Sequence, residues 1–265
     1  MLQEKAIQYV QTHGNEIEQA RLRWLLYGER PSPAIIDTLF TGQRDDGGWA
    51  PFWASDYSSI DATCYKLAQA EQLGLGVAET AVSDALRFLL LRQGEDGRFA
   101  EDTAVADSAP PWAKPGDLAS ELYLTANAGF WLAHFGFKDA AQQAANYLAR
   151  HLNRELHTLP SFAQTYWLAG GLWWILGMAD EALTAVDNHL YTHLPESASD
   201  LAWMLYALLL AGIETDRGVI VSGVLKLKDK QEKDGRFPSD AGQDVHTTLE
   251  ALAVFKTVPT TLLGN

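Results

Sequence analysis

Apolar residues recur at helical spacing along nearly the whole chain, in stretches of two alternating kinds. One kind is amphipathic, as in PAIIDTLF, ETAVSDALRFLLL and RGVIVSGVLKLKDK, where one face carries the apolar side chains. The other is apolar almost all round, as in WLAGGLWWILGM at 167–178, which predicts a helix buried on most sides. Stretches of the second kind tend to close on Leu-Gly or a similar Gly, a helix stop signal. Pairing each amphipathic helix with the apolar one after it divides the chain into six hairpins, at roughly 1–28, 32–75, 79–136, 138–177, 178–213 and 214–257. An open stack of helix pairs carries polar capping units, whereas the first and last hairpins here have ordinary apolar faces. The expected fold is therefore all-α, a six-hairpin α/α barrel closed into a ring as one domain over residues 1–265.

Three connections share a motif: GQRDDGGW at 42–49, RQGEDGRF at 92–99 and KQEKDGRF at 230–237. Each runs Gln, a spacer, Asp-Gly, then an aromatic residue. The Gln amide has the reach and the donors to satisfy orphan backbone groups at helix ends, which predicts that Gln43/Trp49, Gln93/Phe99 and Gln231/Phe237 fasten one hairpin to its neighbour. The one long insertion, AEDTAVADSAPPWAKPGD at 100–117, is too rich in Pro and Gly for an α-helix and longer than an ordinary connection. It is a candidate lid.

These segments resemble the QW-type repeats of squalene and oxidosqualene cyclases and the matching repeats of protein prenyltransferase β subunits, families built on six-hairpin α/α barrels. GQRDDGGW is the best match. The resemblance implies the terpenoid cyclase and prenyltransferase fold, with the repeat in a structural role. Class II cyclases of this kind protonate an alkene with the central Asp of a DxDD motif, and the chain has no such motif; its nearest pair, Asp45 and Asp46, lies within the repeat. An aspartate-rich magnesium motif is absent too. Prenyltransferases hold zinc with an Asp and a Cys two residues apart and a His followed by Thr. Asp61-Ala-Thr-Cys64 has a longer spacing, while Asp244-Val-His246-Thr247 retains the His-Thr pair. Zinc on Asp61, Cys64 and His246 is chemically reasonable. Against it stands Cys64 as a small buried apolar residue, and the expectation is a chain without metal or other cofactor.

Aligning the apolar helices on their closing Gly brings Asp61, Glu121, Gln164, Asp200 and Asp244 to similar heights near the amino ends, with His246 slightly further in. In a closed ring these ends converge on one mouth, where the helix dipoles favour carboxylates. Capping is the plainer role for an Asp at a helix start. Aromatic residues lie below, among them Tyr65, Tyr123, Trp131, Tyr166, Trp167, Trp173, Trp174, Trp203 and Tyr206. Most must pack the core, but rings facing a cavity stabilise a carbocation through their quadrupoles.

Composition trims the remaining choices. Hydrophobic residues make up 47% of 265, ample for a continuous core. Asp and Glu outnumber Lys and Arg by 34 to 20, a net charge of -14, which excludes nucleic acid and an anionic membrane as partners and favours a neutral or cationic ligand. No apolar run is long enough for a transmembrane span, the first residues are too polar for a signal peptide, and a single cysteine suits a reducing compartment, so the expected location is cytoplasmic. Taken with the acidic mouth and the aromatic residues, the resemblance implies one function: a noncanonical terpenoid cyclase-like or isoprenoid-processing enzyme acting on a hydrophobic small molecule. Asp61 or Asp244 would be proton donor or base beside His246, with Glu121, Gln164, Tyr166, Asp200 and Trp203 against the substrate. The alternative is a noncatalytic α/α barrel binding an apolar ligand or a protein partner. A carbohydrate-active barrel would draw on the same acidic mouth. A complement-like thioester barrel is excluded, because Cys64 lacks the Gly-Cys-Gly-Glu-Gln context.

Overall fold

Each amphipathic stretch forms the outer helix of a pair, and each apolar stretch the inner one. In the computed structural model, which describes residues 2–263, the pairs are α1 (Leu2–His13) with α2 (Glu16–Tyr27), α3 (Pro33–Phe40) with α4 (Ile60–Glu71), and α5 (Thr80–Arg92) with α6 (Leu118–His134). The remaining three are α7 (Lys138–His151) with α8 (Ala163–Ile175), α9 (Ala179–Leu183) with α10 (Ala198–Leu210), and α11 (Gly218–Lys228) with α12 (Asp244–Thr257). A short α13 (Thr260–Leu263) packs on α11. The hairpins fall within a few residues of the divisions read from the periodicity. One outer element departs from it: after Leu183, α9 widens into a π-helical turn, Thr184–Leu190, that packs on α8. Among the described residues there is no strand, only isolated bridges such as Gln43 with Trp49.

Inner helices pack in sequence, α4 on α6, α6 on α8, α8 on α10 and α10 on α12. The ring closes because α12 packs on both α1 and α2. The apolar core fills the space between the two layers, with Trp167, Trp173, Phe130 and Phe88 among its largest fully buried side chains. The molecule is an all-α toroid of paired helices.

The three repeated loops make one joint three times. Gln43 Nε2 donates to Gly47 O at 2.9 Å and to Ala81 O of α5 at 2.8 Å. Gln93 Nε2 donates to Gly97 O and to Ala140 O of α7, and Gln231 Nε2 to Gly235 O and to Leu2 O of α1. In each loop the Asp accepts from the backbone two residues on, at Gly48, Arg98 and Arg236. The aromatic residue is buried, and its N–H donates to a threonine on its own inner helix: Trp49 to Thr63, Phe99 to Thr125, Phe237 to Thr248. The Gly of Asp-Gly must be Gly twice over. At Gly235 φ is +98°, and a Cβ there would stand 2.3 Å from Lys5 O of the neighbouring helix. The third joint ties the sixth hairpin to the first, so the seam is built like the internal joints.

Candidate functional site

Asp61 stands in the first turn of α4, which Ser59 caps by accepting from Ala62 N. Its carboxyl is enclosed by α4, α6 and the 100–117 segment. Oδ1 accepts from Tyr123 Oη at 2.9 Å and from Asn127 Nδ2 at 3.3 Å, and Oδ2 accepts from Trp112 Nε1 at 3.1 Å. All three donors are neutral and no cation offsets the charge. Burial raises the Asp61 pKa above the ordinary aspartate value, and the hydrogen bonds from Tyr123, Trp112 and Asn127 offset this only in part. The indole is a donor only, so it holds Oδ2 as acceptor. A proton on Asp61 therefore resides on Oδ1, beside a hydroxyl that can reverse to accept it.

The 100–117 segment forms no α-helix, only the 3-10 turns Thr103–Val105 and Pro111–Ala113. It is docked rather than free. Glu101, 4% exposed, accepts from Ser59 Oγ at 2.6 Å, from Ile60 N at 3.0 Å and from Tyr57 Oη at 2.9 Å, placing an anion on the amino end of α4. Trp112 then reaches Asp61, and Ser120 Oγ at the start of α6 donates to Pro111 O.

The other residues expected at the mouth fall into separate arrangements. Asp244 holds the loop before α12: it accepts from Ser239 N at 2.7 Å and pairs with Arg236 at 2.9 Å. His246 Nδ1 lies 3.0 Å from Arg21 Nη1 and its Nε2 3.3 Å from Glu250 Oε1, so both ring nitrogens are engaged. Tyr65 packs beside it, ring centroids 6.0 Å apart. Asp61, Asp244 and His246 share no hydrogen bond. Gln164 donates to Asp200 across α8 and α10, one helical turn from Trp203, whose ring meets Trp167 edge-on. Glu121 accepts from Tyr147 Oη and lies 3.6 Å from Arg98. Tyr166 uses its hydroxyl on the Leu159 backbone and stacks on His189, 3.6 Å between centroids. Cys64 is buried, and burial pushes its thiol pKa up. Among the described residues no three His, Cys, Asp or Glu side chains stand together as metal ligands.

Sequence reasoning missed a second polar centre at the other end of α4. Arg21 of α2 is 3% exposed and donates to His246, whose other nitrogen donates to Glu250, itself 6% exposed. Gln72 Nε2 also donates to Glu250, and Tyr206 Oη to Glu71. Two cavities flank this centre and share Arg21 in their walls. One, about 500 Å³, lies toward the carboxy ends of α2, α4, α10 and α12; the other, about 410 Å³, lies toward their amino ends and includes Tyr65, Gln69 and His246. The missed signal was positional: Arg21 falls on the apolar stripe of α2 with Ile17 and Trp24.

No protein-family model and no curated protein matches the sequence. Among solved structures the chain is similar to a protein from Actinoplanes, at 17% identity and TM-score 0.64, covering 97% of this chain and 98% of that one. It is similar to the type II terpene cyclase MstE from Scytonema without ligand, at 14% identity and TM-score 0.58, covering 95% and 96%. A point variant of that cyclase in complex with geranylgeranyl dihydroxybenzoate, its substrate, gives 13% identity and TM-score 0.57, covering 97% and 86%. At such identities the likeness shows the fold, a terpenoid cyclase-like α/α barrel. No helix among the described residues is long and apolar enough to cross a membrane.

Proposed function

We propose that the chain is an acid-initiated isoprenoid cyclase in which Asp61 is the proton donor. The observation that carries this reading is the carboxyl of Asp61, enclosed, raised in pKa by burial and held by neutral donors alone. Such a group keeps its proton longer than an exposed aspartate, so the donor form is present when substrate arrives, and the three hydrogen bonds to its oxygens lower the cost of the carboxylate left by transfer. In the proposed step the terminal alkene of a polyene takes the proton from Oδ1, leaving a tertiary carbocation and the Asp61 carboxylate, which Tyr123, Asn127 and Trp112 stabilise. Ring closure moves the cation along the chain, and loss of a proton from carbon ends the reaction. Tyr65, 42% exposed, and the part-exposed Trp203 offer π-faces for the migrating charge.

Asp244, neutralised by Arg236, fastens the loop before α12 in this scheme. The 100–117 segment acts as the lid, because docking it supplies Trp112 to the acid and closes water out. The whole chain would work as one barrel in the cytoplasm, with the repeated joints as QW-type repeats. That MstE is a cyclase and that its variant holds a prenylated substrate support the choice of substrate class.

The test is to incubate the full chain with linear polyprenyl alcohols, acids and aryl conjugates in deuterated water and examine products by mass spectrometry. Cyclised isomers carrying one deuterium are expected, with the rate down at least about 10³-fold in Asp61→Asn and largely kept in Asp244→Asn. Product formation undiminished in Asp61→Asn sinks the assignment. A polyene retained but never converted points instead to a noncatalytic binding barrel.

A further inference from the structure

Arg21 is a buried cation that touches no carboxylate directly among the described residues. A guanidinium stays charged at any accessible pH, although burial lowers its pKa from the ordinary arginine value. Yet this one is almost wholly buried and forms no ion pair among the described residues, and its Nε is buried without a partner. Glu250 reaches it only through His246. A buried charge left unpaired is costly, and proteins keep one where something else completes it. The Oε1 atoms of Gln69 and Gln72 are likewise buried without partners.

The larger cavity has two chemistries. Arg21, Glu71, Gln72, Tyr206 and Glu250 crowd one part of its wall, while Trp24, Leu25, Leu209, Leu210 and Val254 form an apolar arm toward the carboxy ends of the inner helices. Its roughly 500 Å³ is in the range of small-molecule sites.

We infer that this cavity binds an amphipathic monocarboxylate, with the carboxylate on the unpartnered Nε–H of Arg21 and the apolar body along Leu25, Leu209, Leu210 and Val254. A single guanidinium matches a single negative charge and gives a carboxylate a short, charge-assisted bond. A diphosphate needs several cations, and the wall adds to Arg21 only Lys256, whose Nζ is held by the Leu25 carbonyl, beside the acids Glu71 and Glu250. Glu71 is engaged by the Tyr206 hydroxyl, and burial raises its pKa. A neutral alcohol would leave the guanidinium uncompensated. From Asp61 in the first turn of α4 to Glu71 at its end is about 15 Å along the helix, so the two centres are separate. The inference stands whether or not Asp61 protonates a polyene.

The experiment is calorimetric titration of the full chain with sodium myristate and with a geranylated benzoate, below their micelle concentrations, each against its neutral counterpart, myristyl alcohol or the methyl ester. One equivalent of acid should bind, at least tenfold more tightly than its counterpart, and Arg21→Gln should weaken acid binding at least tenfold with an unchanged circular dichroism spectrum. Whichever acid binds more tightly identifies the source as a fatty acid or a prenylated aromatic acid. Equal binding of acid and neutral counterpart, undiminished acid binding in Arg21→Gln, or no binding of either acid overturns the inference. Should Arg21→Gln not fold, Leu210→Trp fills the apolar arm and leaves the cation in place; it should weaken both acids at least tenfold, and undiminished binding there overturns the inference equally.

Discussion

Two aspartates at the starts of two inner helices have opposite surroundings. Asp244 is tied to Arg236 and to a backbone N–H, a stabilising arrangement, while Asp61 has neutral donors and a burial-raised pKa. Their substitutions should diverge at pH 7.5. Asp244→Ala should lower stability by about 1–3 kcal/mol through the lost hydrogen bond from Ser239 N and the lost Arg236 pair. Asp61→Asn should leave it equal or raised, because it removes an enclosed charge, and the gain should shrink as pH falls through the raised pKa of Asp61. Thermal melts of both variants check this; a loss in Asp61→Asn larger than in Asp244→Ala would remove the energetic signature expected of a proton donor. Asp61 itself was legible in the sequence as a polar residue opening an apolar helix. Its partners were not, because Trp112 and Asn127 lie 51 and 66 residues away and no spacing rule links them. Arg21 was visible in principle as a charge on an apolar stripe, but a long side chain on such a stripe usually snorkels to water, and only the closed ring denies it that exit.

The hairpins were readable at the level of elements because inner and outer helices differ in kind, one apolar all round and one striped, and because stop signals separate them. The joints were readable because three loops repeat the same letters. What the letters did not disclose is the partner of each glutamine: the carbonyls of Ala81, Ala140 and Leu2 belong to the next outer helix in the ring, and only the ring defines which that is. The joint has two parts of unequal strength. Gln231→Ala deletes two hydrogen bonds from a half-buried amide and should cost about 1–3 kcal/mol. Gly235→Ala should cost more, since it combines a left-handed φ with a Cβ driven into the Lys5 carbonyl. Denaturant unfolding of the two variants ranks them; an unmoved midpoint for Gln231→Ala would mean that packing alone holds the seam. The acidic mouth was the weaker expectation, since neighbouring helix starts in a ring need not point their side chains at one another.

For the molecule as a whole, a net charge of -14 misdescribes the interior. Asp61, Glu71 and Glu101 all have pKa values raised chiefly by burial, and all three line the inside of the ring. A carboxyl whose folded pKa lies above its unfolded value contributes stability that is present at low pH and lost as pH rises through the folded value. The contribution of these three carboxyls to the melting temperature should therefore fall as pH rises above the ordinary carboxylate range, while His134 and His189, whose pKa values burial lowers, act in the opposite sense as pH rises toward the ordinary histidine value. The exposed Glu4, Glu196 and Glu214 have pKa values lowered by their partners and act against this only on further acidification. The paired substitution Asp61→Asn with Glu71→Gln should raise the melting temperature more at pH 8 than at pH 5 relative to the unsubstituted protein, and a difference that shrinks as pH rises contradicts the sign.

The joint between the sixth hairpin and the first spans 229 residues of sequence, where the internal one at Gln43 spans 38. By the logarithmic scaling of loop entropy, (3/2)RT ln(229/38), the long closure costs only about 1.6 kcal/mol more than the short one. The same bonds are made at both. Thermodynamically, then, the chain has almost no preferred place to begin, and its order along the ribosome is a matter of time rather than energy. Five hairpins can be made and stacked while the sixth is still being synthesised, during which α1 presents an uncovered flank that only α12 will later occupy. The vulnerable species in the life of this protein is the unclosed spiral, and the arrival of α12, behind the joint at Gln231, ends that exposure.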